Sequence, residues 1–417
     1  MPLNPVRTTL GNGATLLVKH ATATPAVAIA LTLRAGSIAD PAGRPGMAWL
    51  LSRVIDRGTA TRSAAEIAEE LDSRGITLTI LVTRHAFTLG CRCLSDDFEP
   101  VLALLGDIVI SPSVPEDELA TRKGEVITSI RQDEDNPAIR ATEALMAELY
   151  PGGHPYGRKT KGSIEVVEGI TRDQLLALHA KRFAPGVLTA VIVGDVAVAR
   201  AQEATAQVFG GWNKPAPPPL VVPSVTSATA RRRIVIPMMN KSQADIAYGF
   251  TAITRNDAAY YAYWLMNVAF GQYSIGGRLG DSIRERQGMA YYVSSALDAN
   301  IAPGPLSIRA GVSPANVDRA VASIDEEIVR LVRDGLTPKE LDESRRFLIG
   351  SIPRALETNV AIANFLQTEE MFGLGLDYDA RLPDLLNAVT MDDVNAAARR
   401  TLDPARATVV IAGPYQA

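Results

Sequence analysis

Two kinds of periodicity share this chain. Apolar–polar alternation marks short strands in TLLVKH (15–20), ITLTILV (76–82) and FTLGCRC (87–93), and again in RRRIVIP (231–237), ADIAYGF (244–250) and LSIRAGV (306–312). Continuous apolar runs, AVAIALTL (26–33) and VLTAVIVG (187–194), read as buried strands. Apolar positions at helical spacing run through EPVLALLGDIVI (99–110) and VDRAVASIDEEIVRLVRDG (317–335). Strands and helices come in groups rather than in strict alternation, which predicts an α+β fold.

The pattern occurs twice. ITRDQLLALHAKRFAPGVLTAVIVGDV starts at Ile170 and VTMDDVNAAARRTLDPARATVVIAGP at Val389. Laid together without a gap, Thr171 meets Thr390, Asp173 meets Asp392, Pro185 meets Pro404 and Gly194 meets Gly413, a constant offset of 219 (390 − 171, 413 − 194). Each copy predicts a Thr-capped helix with an acidic first turn, a proline-marked turn and an apolar strand. A weaker echo matches Glu118 with Glu340 and Ser129 with Ser351 at an offset of 222 (340 − 118). Between the copies lies WNKPAPPPLVVPS (212–224), whose prolines stiffen the chain and exclude helix or central strand. The reading is two homologous α/β-sandwich domains from an internal duplication, 1–212 and 230–417, joined by a Pro-rich linker over 213–229.

Length and composition agree with this division. A chain of 417 residues is long for a single core. Its 47% hydrophobic and 21% charged residues are ordinary for a globular protein. A net charge of −4 gives no basic footprint, which argues against nucleic acid as a partner. The apolar runs are too short to cross a bilayer. MPLNPVRTTLGNG has neither the charged segment nor the apolar run of a signal peptide, so the chain as written reads as cytoplasmic. A mature chain whose leader had been removed would read the same and be periplasmic.

Chemistry-bearing residues are sparse. The two cysteines, Cys91 and Cys93, sit two apart on one strand face, poorly disposed for a disulfide and too few for a zinc site. The four histidines, His20, His85, His154 and His179, lie on separate elements with no pair at helical spacing, and read as structural or surface residues. There is no G-x-x-x-x-G-K-[ST] phosphate loop and no G-x-S-x-G nucleophile elbow.

Several landmarks nonetheless run in order: LGNGATLLV, LRAGSIADP, GMAWLLSRVIDRGT (46–59), the PYGR of GGHPYGRKTKGSIE, ITRDQLLALHAKRFAP with VIVGDV, and GGRLGDSIRERQGMAYYVSS. With the duplication, they make the whole chain resemble the pitrilysin/insulinase-type metallopeptidases, in the short two-domain form of mitochondrial processing peptidase and its bacterial relatives. The resemblance implies half of a clamshell, built of two similar domains. It also implies an inverted zinc motif, H-x-x-E-H, whose histidines hold the metal and whose glutamate activates the water. Gly46, Ala48, Gly58 and Thr59 fix the register, and the motif is gone: Trp49 and Arg53 stand in the histidine places and Ser52 in that of the base. In the later helix KGEVITSIRQDEDNP, Ser129 takes the place of the last ligand, with Glu125 one turn before it. An indole binds no zinc, a serine is a poor base and an arginine repels a cation. The expectation is that this chain binds no metal or other cofactor, and that zinc belongs to a partner subunit.

The family's second functional pair, an arginine and a tyrosine seven residues apart, is matched by Arg284 and Tyr291 in the second half. Such a pair holds the substrate backbone and stabilises a developing oxyanion. On spacing alone, Arg284 reads as a solvated helix-face residue and Tyr291 as an ordinary strand aromatic; the surrounding frame favours the functional role. FGQYSIGGRLG (270–280), with Gly276 and Gly277, corresponds to a loop by the substrate channel, although a loop that merely opens a helix reads equally well. Zinc site lost and arginine–tyrosine pair kept, the resemblance implies a non-zinc subunit of a heteromeric zinc metalloendopeptidase acting on peptides or small unfolded proteins. A zinc-bearing homologous subunit would be its partner. The alternative is an inert structural or peptide-binding subunit, like the core proteins of a respiratory complex.

Overall fold

The computed structural model describes residues 2–273 and 276–416; Ser274 and Ile275, inside the glycine-bearing 270–280 segment, lie outside the described residues. Eleven strands are present among the described residues: β1 (Val6–Thr9), β2 (Thr15–His20), β3 (Ala26–Leu33), β4 (Thr79–Val82), β5 (Phe87–Leu94), β6 (Leu188–Gly194), β7 (Arg232–Pro237), β8 (Ala244–Thr251), β9 (Ala290–Leu297), β10 (Pro305–Val312) and β11 (Thr408–Gly413). They form two sheets, one in the order β1-β2-β6-β3-β5-β4 and the other in the order β7-β11-β8-β10-β9. The alternating 76–82 segment yields a strand only from Thr79, where it pairs β5 at the edge of its sheet.

The two sheets follow one path. β2 pairs β6 in parallel as β7 pairs β11, and every other pairing from β6 to β4 and from β11 to β9 is antiparallel. Local chemistry repeats with it. Thr171 and Thr390 each cap a helix through a reciprocal capping box, Arg172–Arg182 and Met391–Thr401. Gly194 and Gly413 end the apolar strands at φ 144° and 139°, where a side chain would meet the Ala26 carbonyl at 2.1 Å and Ala244 Cα at 2.6 Å respectively.

The compact units do not coincide with the halves 1–212 and 230–417. One comprises Met1–Ile130, Lys159–Val221 and Pro353–Ala380, the other Arg131–Arg158, Val222–Ile352 and Arg381–Ala417. The chain passes between them at Val221, inside 213–229, but each sheet also takes a helix from the far half of the sequence. A mixed sheet has two apolar faces and both need covering. In the first unit, Ile29, Leu31, Phe87, Leu89 and Ile192 face the main helical layer, which includes helices Met47–Val54 and Phe98–Ile110. Leu17, Ala28, Ala30, Val191 and Val193 point the other way, onto Ile362, Ala363 and Leu366 of helix Asn359–Phe372. In the second unit, helix Pro137–Leu149 serves the same purpose, with Leu145 and Leu149 against Gly249 of β8. The cysteines sit on β5 with both thiols buried, which pushes each up to about 12. No helix among the described residues is long and apolar enough to cross a membrane.

Candidate functional site

The 46–59 segment folds as helix Met47–Val54. Its first N–H groups are met from outside the helix: buried Asp40 accepts from the Gly46 and Ala48 amides, both at 2.7 Å, a carboxylate on the positive end of the helix dipole. Gly46 has φ 99°, and a Cβ there would lie 2.4 Å from the Lys161 carbonyl. Gly162 is the reciprocal case, at φ 78° and 2.2 Å from the Pro45 carbonyl. Two glycines thus bring residues 161–162 backbone to backbone with the start of the helix.

That approach builds the site. The Arg53 guanidinium stacks on the Trp49 ring at 4.8 Å from its centroid, and the Lys161 ammonium lies 5.7 Å from the same centroid. Lys161 Nζ donates to Ser129 Oγ at 2.7 Å, from helix Glu116–Glu134. Ser52 is buried and its hydroxyl is spent on the Trp49 carbonyl at 2.6 Å. Glu125, one turn before Ser129, pairs with Arg122 at 2.6 Å. Trp49, Arg53 and Ser129 therefore do come together, through Lys161, a residue that sequence reasoning did not single out. Its only signal was the glycine that follows it.

The donor set does not fit a zinc ion. An indole and a guanidinium stand where imidazoles would be needed, an ammonium lies beside them, the Ser129 hydroxyl accepts from that ammonium and the Ser52 hydroxyl donates to a backbone carbonyl. Among the described residues no group of three or more His, Cys, Asp and Glu gathers where a metal ion would be held. Each histidine has separate employment. His179 Nε2 donates to the Val109 carbonyl at 2.8 Å, and burial holds its pKa down at about 4. His85 is buried and likewise lowered to about 4. His154 stacks against Tyr150, meets Tyr156 edge to face and donates to the Pro223 carbonyl, and His20 Nδ1 lies 2.9 Å from the Val196 carbonyl.

In the second unit, Arg284 lies in a wide helical turn, Gly280–Arg286, of the i→i+5 kind that frequently accompanies functional positions. Gly288, at φ 61°, ends the turn, its N–H bonding the Arg284 carbonyl at 3.0 Å, and β9 starts at Ala290. Tyr291 is the extra residue of a β-bulge. Gly311 faces Tyr292 and Val312 faces Ala290, which leaves Tyr291 without a partner across the ladder. It is 85% exposed, and its hydroxyl makes no hydrogen bond among the described residues. Arg284 is less free, its Nε donating to Glu285 at 2.8 Å.

The Gly277 N–H donates to the Tyr273 carbonyl at 2.7 Å, and a Cβ on Gly277 would sit 3.0 Å from Gly271 Cα, closer than ordinary van der Waals contact. Gly276 borders a cavity of about 430 Å³ that also takes in Tyr273 and Phe347, whose rings meet at a tilt of 48° with centroids 4.9 Å apart. The next residue, Arg278, makes a double hydrogen bond to Glu340. Burial alone would raise the Glu340 carboxyl, but the bonds from Arg278 and Thr337 outweigh it and hold it at about 2.

Comparison with known proteins agrees with this frame. Residues 15–162 match the model of the insulinase family, peptidase family M16, and residues 169–348 match that of the peptidase M16 inactive domain. An uncharacterized zinc protease of Mycobacterium leprae is 26% identical over 414 residues, 98% of this chain and 92% of its own length. A Helicobacter pylori protein named a non-peptidase homolog is 23% identical over 374 residues, 88% of this chain and 84% of its own. A crystal structure of a peptidase M16 inactive domain from Pseudomonas fluorescens superposes with a TM-score of 0.92 at 28% identity, covering 100% of this chain and 99% of that one. With landmarks, fold and matches in agreement along its length, this chain belongs to the insulinase, or M16, peptidase family, as a member without the H-x-x-E-H motif.

Proposed function

We propose that this chain is the non-zinc subunit of a heteromeric zinc metalloendopeptidase. It supplies Arg284 and Tyr291 to an active site completed by a homologous subunit that carries H-x-x-E-H and the zinc. Its substrates are peptides or small unfolded proteins, with Gly276 and Gly277 beside their channel. Arg284 grips peptide carbonyls with its planar fork, and the Tyr291 hydroxyl stabilises the oxyanion as the partner's zinc-bound water attacks. One observation carries this reading: the tyrosine at the expected spacing is lifted out of its ladder by a bulge and left exposed without a partner. A merely structural strand aromatic would be expected to pack.

The second reading, an inert structural or peptide-binding subunit, draws support from the pairing of Arg284 with its neighbour Glu285. Hydrolysis of a quenched peptide by the purified chain, by a zinc-bearing homologue and by their mixture separates the two. Activity that rises only in the mixture, with zinc confined to the partner, is the expected result. Tight association without a gain in activity would leave the scaffold, and activity with stoichiometric zinc in the chain alone would sink both.

A further inference from the structure

The outer face of the first sheet is covered on one side only. Helix Asn359–Phe372 packs on β3 and β6 and leaves beyond it a groove of about 330 Å³. Ala28, Ala30 and Gly90 form its floor, and Thr77, Arg92 and Asn364 stand around it. Arg92 is exposed and makes no hydrogen bond or ion pair among the described residues.

The second sheet shows what the same place holds when it is filled. Val193 on β6 faces Ala28 on β3, and Ala412, 219 residues further on, faces Asp245 on β8. One strand outward, Ala28 faces Arg92 and Asp245 faces Gly311. Asp245 therefore corresponds to Ala28, and Gly311 to Arg92. In the second sheet the buried Asp245 carboxylate accepts from the Tyr292 hydroxyl and from the Gln243 amide at 3.3 Å. The Tyr292 ring lies over Gly311, where a Cβ would come within 2.5 Å of it. Ring and carboxylate there belong to the protein. In the first sheet both are missing, and a guanidinium stands beside the space.

We propose that this groove is a subsite for an extended peptide, and that Arg92 takes the side-chain carboxylate of an aspartate or glutamate lying in it. The proposal rests on the peptide-binding reading above and gives that reading a preference for acidic substrates. Charge complementarity selects the occupant. A guanidinium presents paired donors matched to a carboxylate, and the apolar floor lowers the local dielectric around the pair. A floor of alanine and glycine lets a backbone approach closely, and the Thr77 and Asn364 side chains offer neutral hydrogen bonds to it.

Binding to the full chain is measured by fluorescence anisotropy with three dye-labelled heptapeptides of Ala, Thr and Val. The first has a central Glu and blocked ends, the second is its Gln twin, and the third is the Gln twin with a free C-terminal carboxylate. The Glu peptide is expected to bind about tenfold more tightly than its twin, the scale of one charge-assisted hydrogen bond. Arg92→Met should bring that ratio to near one while melting like the parent. Gly90→Leu keeps the charge but fills the floor, and has room to fold, since a Cβ there meets nothing closer than 3.9 Å; it should remove the preference as well. Equal binding of Glu and Gln peptides, a preference that survives Arg92→Met, or tightest binding by the free-carboxylate twin would each overturn the subsite. Equal binding that is lost in Arg284→Ala would do so while leaving the peptide-binding reading intact, whereas no binding by any of the three would remove both.

Discussion

Lys161 sets the charge around Trp49, Arg53 and Ser129. Its ammonium reaches Ser129 and shares the Trp49 ring with Arg53, so a positive field fills the space where the family motif would gather negative and neutral donors. Restoring the motif by Trp49→His, Ser52→Glu, Arg53→His and Ser129→Glu is therefore expected to leave zinc well below one per chain. The lysine would pair with the introduced carboxylate in place of the metal. Adding Lys161→Met should bring the content close to one, read by elemental analysis; equal uptake with and without that change would refute the role. At Tyr291 the expected effect is catalytic. Tyr291→Phe in the mixed enzyme should cut kcat by about 10²–10³, the usual cost of one oxyanion donor, with an unchanged melting temperature because the hydroxyl makes no hydrogen bond among the described residues. A loss below threefold would remove Tyr291 from the reaction. That Trp49, Arg53 and Ser129 gather at one place was foreshadowed in sequence only by the register that the flanking glycines suggest. Lys161 was not, because two left-handed glycines far apart in the chain bring it there.

Among elements, the repeated helix–turn–strand was the most legible. Thr171 and Thr390, Pro185 and Pro404, and Gly194 and Gly413 do the same local work in both copies: a capping box, a proline-led turn and a strand end at positive φ. Gly194→Ala and Gly413→Ala should each destabilise by roughly 1–3 kcal/mol or more, from a conformation reserved for glycine and a backbone neighbour in contact range. Similar losses from the two, read from urea unfolding, are expected, and a neutral effect at either would break the equivalence. The bulge at Tyr291 was not legible. Its register depends on β10 and on the place of Gly311, which no local pattern in β9 records.

For the whole molecule, the exchanged helices govern cooperativity. A fragment 1–212 would carry helix Pro137–Leu149 without its sheet and would lack helix Asn359–Phe372, which leaves Leu17, Ala28, Val191 and Val193 bare. Fragments 1–212 and 230–417 made separately are expected to bind a hydrophobic dye and melt without cooperativity, while the two expressed together recover a cooperative transition. A cooperative melt of 1–212 alone, equal to that of the full chain, would contradict this. Stability should also depend on acidity. His85 and His179 are held near 4 against an ordinary 6.5, so as pH falls the unfolded chain takes up protons first. Their contribution is complete above about 6.5 and is lost on the way down to about 4, up to roughly 3 kcal/mol apiece. Urea midpoints between pH 7 and pH 4 test this, with a shallower slope expected for His179→Gln; identical slopes would clear that histidine.

Periodicity, caps and glycine placement by themselves determined the secondary structure, the duplicated path and the absence of the zinc motif. The caps, turns and strands are short-range properties, written in residues a few positions apart, and the duplication shows when two such stretches 219 residues apart are laid together. Only the tertiary structure decided which helix covers which sheet, that the Trp49 ring takes both the Arg53 and the Lys161 cations, and that Tyr291 faces out while its neighbour Tyr292 is tied inward to Asp245. Each of these depends on segments far apart in the chain meeting at atomic distance. The apolar faces of the sheets select their covering helices by shape and area, and a sequence pattern carries no address for such a contact.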